Sequence, residues 1–162
     1  MKKFKGRMSA LALCLLAASC QNPVTPSLPL DDLLAAPLVV EINGRQFTLE
    51  TFIWRDFMPG DNSGGSSLMA AVYLTAVDGQ HFPDEIDSNR IWVINGENVW
   101  EATFQGESRP RSSTHLYQLE KVANGGPRWD VGDQVEVVVR VTAWSAGTRL
   151  LRATKQVINA TY

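Results

Sequence analysis

Gln134–Trp144, QVEVVVRVTAW, is the stretch whose reading decides the fold. Side chains alternate across a strand with period two. Val135, Val137, Val139, Val141 and Ala143 therefore share one face, and Glu136, Val138, Arg140, Thr142 and Trp144 share the other. A helix would scatter these valines around its circumference, and β-branched side chains lose χ1 freedom there. The stretch reads as a central antiparallel strand with one buried and one wet face.

Working outward, the same alternation recurs. Leu38–Ile42 is β-rich and is followed by Asn43-Gly44, a hairpin signal because both residues tolerate positive φ. Arg45–Trp54 returns with Phe47, Leu49, Thr51 and Ile53 on one face. Met58–Ser67 is a glycine- and serine-rich loop. Leu68–Ala76 reads as a strand from its length and flanking glycines, although its alanines also suit a helix. Val77–Asn89 is an acidic turn region, Arg90–Ile94 a strand, Asn95-Gly96 a turn, and Val99–Phe104 its return. Gly106–Ser113 is a polar loop, Thr114–Glu120 a weaker strand, and Asn124–Pro127 a turn. Ser145–Gly147 turns the central strand into a last one over Thr148–Ile158. About eight strands at this spacing predict an all-β domain over 38–162. The expected form is an antiparallel β-sandwich, immunoglobulin-like in the broad sense, with a small closed β-barrel as the alternative.

The first twenty residues are of a different kind. Lys2, Lys3, Lys5 and Arg7 precede the apolar run Met8–Ser19, which is too short to cross about 30 Å of hydrocarbon as a helix. That pattern suits a signal peptide over 1–19. The run ends in Leu15-Leu16-Ala17-Ala18-Ser19-Cys20. Ala18, Ser19 and Cys20 resemble the lipobox of bacterial lipoproteins, in which small residues precede a cysteine that is lipidated and becomes the mature N-terminus. Ala17 departs from the leucine usual three before that cysteine, and Leu16 stands one place too early. Without lipidation, the same residues describe a plain signal peptide cut after Ala18 or Ser19. The resemblance implies a lipid anchor at Cys20 and a place in the cell envelope. Gln21, standing where an aspartate would retain the protein, resembles the outer-membrane-sorted class, on either face of that membrane. Several acyl chains hold stably where a single one is marginal.

Residues 20–37 then form the lipidated N-terminus and a tether. Prolines at 23, 26, 29 and 37 favour an extended, semi-rigid spacer. Asp31–Ala36 has the composition for one helical turn capped by Asp31. So short a helix is marginal alone, and disordered linker is the favoured reading.

Charge narrows the partners. With the four leading cations removed, fifteen Lys+Arg fall to eleven against seventeen Asp+Glu, a net of −6. An acidic chain is a poor match for nucleic-acid backbones. Both cysteines lie in the first twenty residues, so the domain has no disulfide, thiolate metal site or cysteine nucleophile. There is no GxSxG, P-loop, GxGxxG or HExxH pattern.

Two constellations remain. Asp78–Asp87, DGQHFPDEID, packs four carboxylates into ten residues, and Asp78, Asp84 and Asp87 are the candidate ligands for Ca²⁺. The spacing is not that of an EF-hand, and aspartate and glycine are also ordinary turn residues. Five tryptophans, at 54, 92, 100, 129 and 144, are many for one domain. Trp92, Trp100 and Trp144 are the candidates for a platform under a sugar ring or a protein partner. Large aromatics more often fill cores. The expected function is a non-enzymatic, membrane-tethered interaction or structural module with an envelope protein as partner. A carbohydrate-binding module comes second, and an envelope hydrolase with its site in the loops around Asp78 or Gly106 third.

Overall fold

A computed structural model describes residues 26–58, 64–109 and 115–162. Residues 1–19, read as a signal peptide, and Cys20 lie outside the described residues. Within them the chain is all-β apart from one short helix. The elements are α1 (Leu30–Leu34), β1 (Val39–Ile42), β2 (Arg45–Asp56), β3 (Leu68–Ala76), β4 (Ile86–Asn95) and β5 (Asn98–Ala102). There follow β6 (Gly106–Ser108), β7 (Gln118–Gly126), β8 (Gln134–Ala143) and β9 (Gly147–Thr161).

The hydrogen-bonded order is β5-β4-β8-β9-β2-β3-β7-β6, with β1 added beside β2. All pairings are antiparallel except that of β2 with β9. Two separate sheets of a sandwich were expected. One continuous, mixed and strongly curled sheet is observed, a half-barrel nearer the barrel alternative.

The cause lies in β9. Its first part pairs antiparallel with β8, from Gly147 opposite Ala143 to Ala153 opposite Val137. The register then slips, because Val135 pairs with Gln156 and leaves one extra residue on β9. Lys155 takes up that excess with a positive φ of 55°. Such a bulge bends a strand and increases its twist. Past the bulge, Ile158–Thr161 runs parallel to Ile53–Asp56 of β2, so one strand belongs to both halves. The strand extends beyond the expected Ile158 because β2 offers it a second partner.

A second bulge rephases β4. Ser88 pairs with Val141 and Arg90 with Arg140, which leaves Asn89 unpaired in the ladder. Ile86 and Ser88 point inward before it, and Ile91 and Val93 after it. Their core partners include Val135, Val137, Val139 and Val141 of β8, the face predicted to be buried. Phe47, Leu49 and Ile53 of β2 enter the same core, as alternation requires.

Three expectations need correction. The strand expected over 114–120 begins, among the described residues, only at Gln118. The strand is β7, over 118–126, and Asn124–Gly126 lies within it. Leu68 pairs with Gly126 and Ala70 with Ala123, so Gly125, with φ of 86°, sits in a bulge rather than a turn. Gly106–Ser108, read as loop, is the short edge strand β6 beside β7. Residues 26–37, read as a disordered spacer, pack on the outside of the sheet. There α1 starts after Pro29 rather than at an Asp31 cap. Leu33 and Ala36 are buried against Trp92, Ile94 and Val138, with Leu28, Leu30 and Leu34 around them. Val138 was expected on the wet face, and this strap is what covers it. At its end the Arg152 amide of β9 donates to the Pro37 carbonyl (2.8 Å). At its start the Glu101 carboxylate accepts the Ser27 amide (2.7 Å) and hydroxyl (2.8 Å). Burial opposes ionisation of Glu101, but the Ser27 hydrogen bonds and the Arg90 charge outweigh it and hold its pKa below the usual value.

Side chains close the open side of the curl. Trp100 of β5 lies against Gly126 of β7, where an added Cβ would stand 2.8 Å from its ring. Near the other end, Lys121 is buried and aims its ammonium at Asp87 of β4 (2.7 Å) and Glu107 of β6. Arg109 joins them through Glu107 (2.6 Å) and the Ile86 carbonyl (3.2 Å).

Candidate functional site

The acidic loop does not assemble a calcium cage. Asp78 is taken by Arg45, with Nε–Oδ2 at 2.7 Å and Nη2–Oδ1 at 2.8 Å. Those bonds, with the Gln80 amide, hold its carboxyl below the ordinary range. Arg45 also donates to the carbonyls of Gln80 and His81, so the guanidinium organises the loop considered as a Ca²⁺ candidate. Asp87 faces Lys121 and Arg109 instead. Asp84 is exposed on the same loop. Among the described residues no group of three His, Cys, Asp or Glu side chains is placed to hold a metal. His81 Nδ1 lies 2.9 Å from the Phe82 carbonyl, and His115 meets Tyr117 edge to face.

The three candidate tryptophans do not share a platform. Trp92 is 0% exposed, covered by Leu33 and the strap. Trp144 is 95% exposed at the β8–β9 turn. Trp100 is half-buried in β5, at the seam of the barrel. β4 and β8 separate these positions: Trp92 pairs with Val138, whereas Trp144 follows Ala143, which pairs with Ile86 at the other end of β4.

Trp100 nevertheless lines an open groove. About 360 Å³ is enclosed by Val99, Trp100, Glu101, Gly125, Gly126 and Pro127. Gly126 puts no side chain against the indole, where a Cβ would stand 2.8 Å from the ring. A second groove of about 340 Å³ lies between the strap and the β4–β5 turn, lined by Pro26, Ser27, Leu28, Pro29, Leu30, Glu97 and Val99.

An aromatic pair not singled out from the sequence lies elsewhere. Phe52 and Trp54 occupy alternate outward positions of β2 and stack at 5.3 Å with their planes 27° apart. Ala71, opposite Phe52 on β3, is too small to cover it, and the ring is 42% exposed. The period-two reading that sent Phe47, Leu49, Thr51 and Ile53 inward already placed these two rings outward.

At the end of the barrel where β2 and β9 finish, Arg55 is buried. It donates to the carbonyls of Ser66 (3.0 Å), Trp129 (3.1 Å) and Gly64 (2.7 Å), with its guanidinium 5.1 Å from the Phe57 ring centre. These bonds pin two loops to the barrel, and buried charge of this kind is tolerated only when so satisfied. Lys121, Asp87, Glu107 and Arg109 likewise neutralise one another, so the cluster fastens strands. Comparison of the chain with family models, with curated proteins and with solved structures finds no match.

Proposed function

We propose that this is a lipid-anchored protein of the bacterial cell envelope, sorted to the outer membrane, whose β-domain is a non-enzymatic interaction or structural module. The observation that carries the reading is the run from Lys2 to Cys20: a charged start, a short apolar stretch, and Ala18-Ser19-Cys20 in lipobox order. The curled β-domain offers loops and sheet edges to partners. Its charged clusters are engaged in fastening strands and loops, which favours binding over catalysis. Mass spectrometry of the membrane fraction tests the anchor: the product should begin at Cys20 and carry acyl chains. An unmodified product in the soluble fraction would end the proposal. Pull-down from envelope extract should enrich a specific protein over a control domain.

The groove beside Trp100 favours a second reading, a carbohydrate-binding module. The half-buried indole that lines this groove supplies a stacking surface for a sugar ring. Titration with a glycan panel should then give a fluorescence change lost in Trp100→Ala. A flat response across the panel removes this reading.

A further inference from the structure

The chain enters the domain beside the β4–β5 turn. Pro26 and Ser27 share a groove with Glu97 and Val99, and Ser27 is fastened to Glu101. From there the strap is seated through Leu33 and Ala36 down to the Pro37 carbonyl held by Arg152. The proline-rich stretch is therefore mostly consumed by the fold. Only Gln21–Thr25 stand between Cys20 and the first docked residue. Six residue steps span at most about 20 Å at full extension. A free tether from Cys20 to Leu38 would reach about 60 Å by the same rule.

The far end of the domain is set by β4 and β8. Ile94 pairs with Glu136 near the β4–β5 turn, and Ile86 pairs with Ala143 next to Trp144. Those positions are eight residues apart along β4, about 26 Å at the rise of a strand. Trp144 and the Asn43–Ser145 contact (2.9 Å) lie at that far end.

From this we infer that the docked strap holds the domain close against the lipid surface in one orientation, with the β4–β5 turn facing the bilayer and the Trp144 end facing the aqueous side. The inference deepens the proposed function and rests on lipidation at Cys20. The lipid surface is the partner of the β4–β5 end. What the protein binds in solution meets the other end, so the exposed indole of Trp144 is positioned outward rather than into the membrane.

The test is energy transfer from the anchored, full-length protein to acceptor-labelled lipids in a reconstituted bilayer. Donor dyes are placed at Glu97→Cys or at Ser145→Cys. In the mature lipoprotein the thiol of Cys20 is occupied and Cys14 is gone, so each variant has one reactive thiol. Transfer should be at least about twofold stronger from position 97 than from 145, given the ~26 Å between the two ends. Inserting twelve Gly/Ser residues between Thr25 and Pro26 leaves the fold intact and should erase the difference. Leu33→Asp, which releases the strap, should do the same. Equal transfer from both sites in the unaltered chain, or a difference that survives the insertion, overturns the inference. The intact mass of the same preparation separates the two failures. An unacylated product sinks the anchor and this inference together, whereas an acylated product with equal transfer sinks only the docked strap.

Discussion

Leu33→Ala probes the strap directly. Leu33 is fully buried between α1 and the outer side of Trp92, Ile94 and Val138. Removing three carbon groups at ~0.8 kcal/mol each gives a transfer loss of ~2.4 kcal/mol. In a rigid core a residual cavity would raise this toward the ~5 kcal/mol upper end of Leu→Ala substitutions. The strap is not a rigid core. It is a five-residue helix, too short to be stable alone, seated on a barrel that has its own interior. The weakened segment can undock while the barrel stays folded, so most of the loss should appear as local opening. The assay is native-state hydrogen exchange. The amides of Leu33, Ala35 and Ala36 and the Arg152 amide that donates to Pro37 report on the strap. At ~1.4 kcal/mol per tenfold they should exchange ~50-fold faster in the variant. Amides of Val137 and Val139 in β8 should change much less. A variant in which strap and β8 amides accelerate equally would refute the separation of strap from barrel. Unchanged strap exchange would refute the seating of Leu33.

Other outcomes follow from the same geometry. Gly126→Ala adds a methyl where Leu68 Cβ and the Trp100 ring already stand 2.8 Å away. It should cost ~1–3 kcal/mol in urea denaturation and shift Trp100 fluorescence as the indole is pushed out. Glu107 has its pKa lowered, first by the Lys121 hydrogen bond, against burial, and then by Arg109. A depressed folded-state pKa contributes stability that is present above the unfolded value near 4.5 and lost as pH falls through the folded one. Urea midpoints measured downward from pH 6 should therefore fall in the acid range, and less steeply in Glu107→Gln, whereas identical slopes would contradict the linkage. Trp144→Ala removes an exposed ring with little packing, so stability should stay within ~0.5 kcal/mol. Any loss of partner capture in that variant then reports on binding, and a large drop in melting temperature would contradict the exposure of the ring.

Local pattern determined a good deal. Alternation alone marked the strands around Val135–Ala143 and Phe47–Ile53, and Asn43-Gly44 and Asn95-Gly96 marked their turns, because period two and positive φ are properties of a few neighbouring residues. The same pattern separated Ile91 and Val93 from Trp92 and Ile94, yet it could not say that the second pair would be covered. That was decided by residues some sixty positions earlier, when the strap found an apolar outer face to sit on. Likewise nothing local announced that Lys155 would bulge and send β9 across to β2, turning two expected sheets into one curled one. Asn124-Gly125-Gly126 has turn composition, and only β3 alongside made it strand. The candidate tryptophans divided on the same principle: sequence shows which side of a strand a ring leaves from, while its exposure depends on whatever distant segment packs there. For Trp92 that segment is Leu33, for Trp100 it is Gly126 of β7, and Trp144 stays 95% exposed.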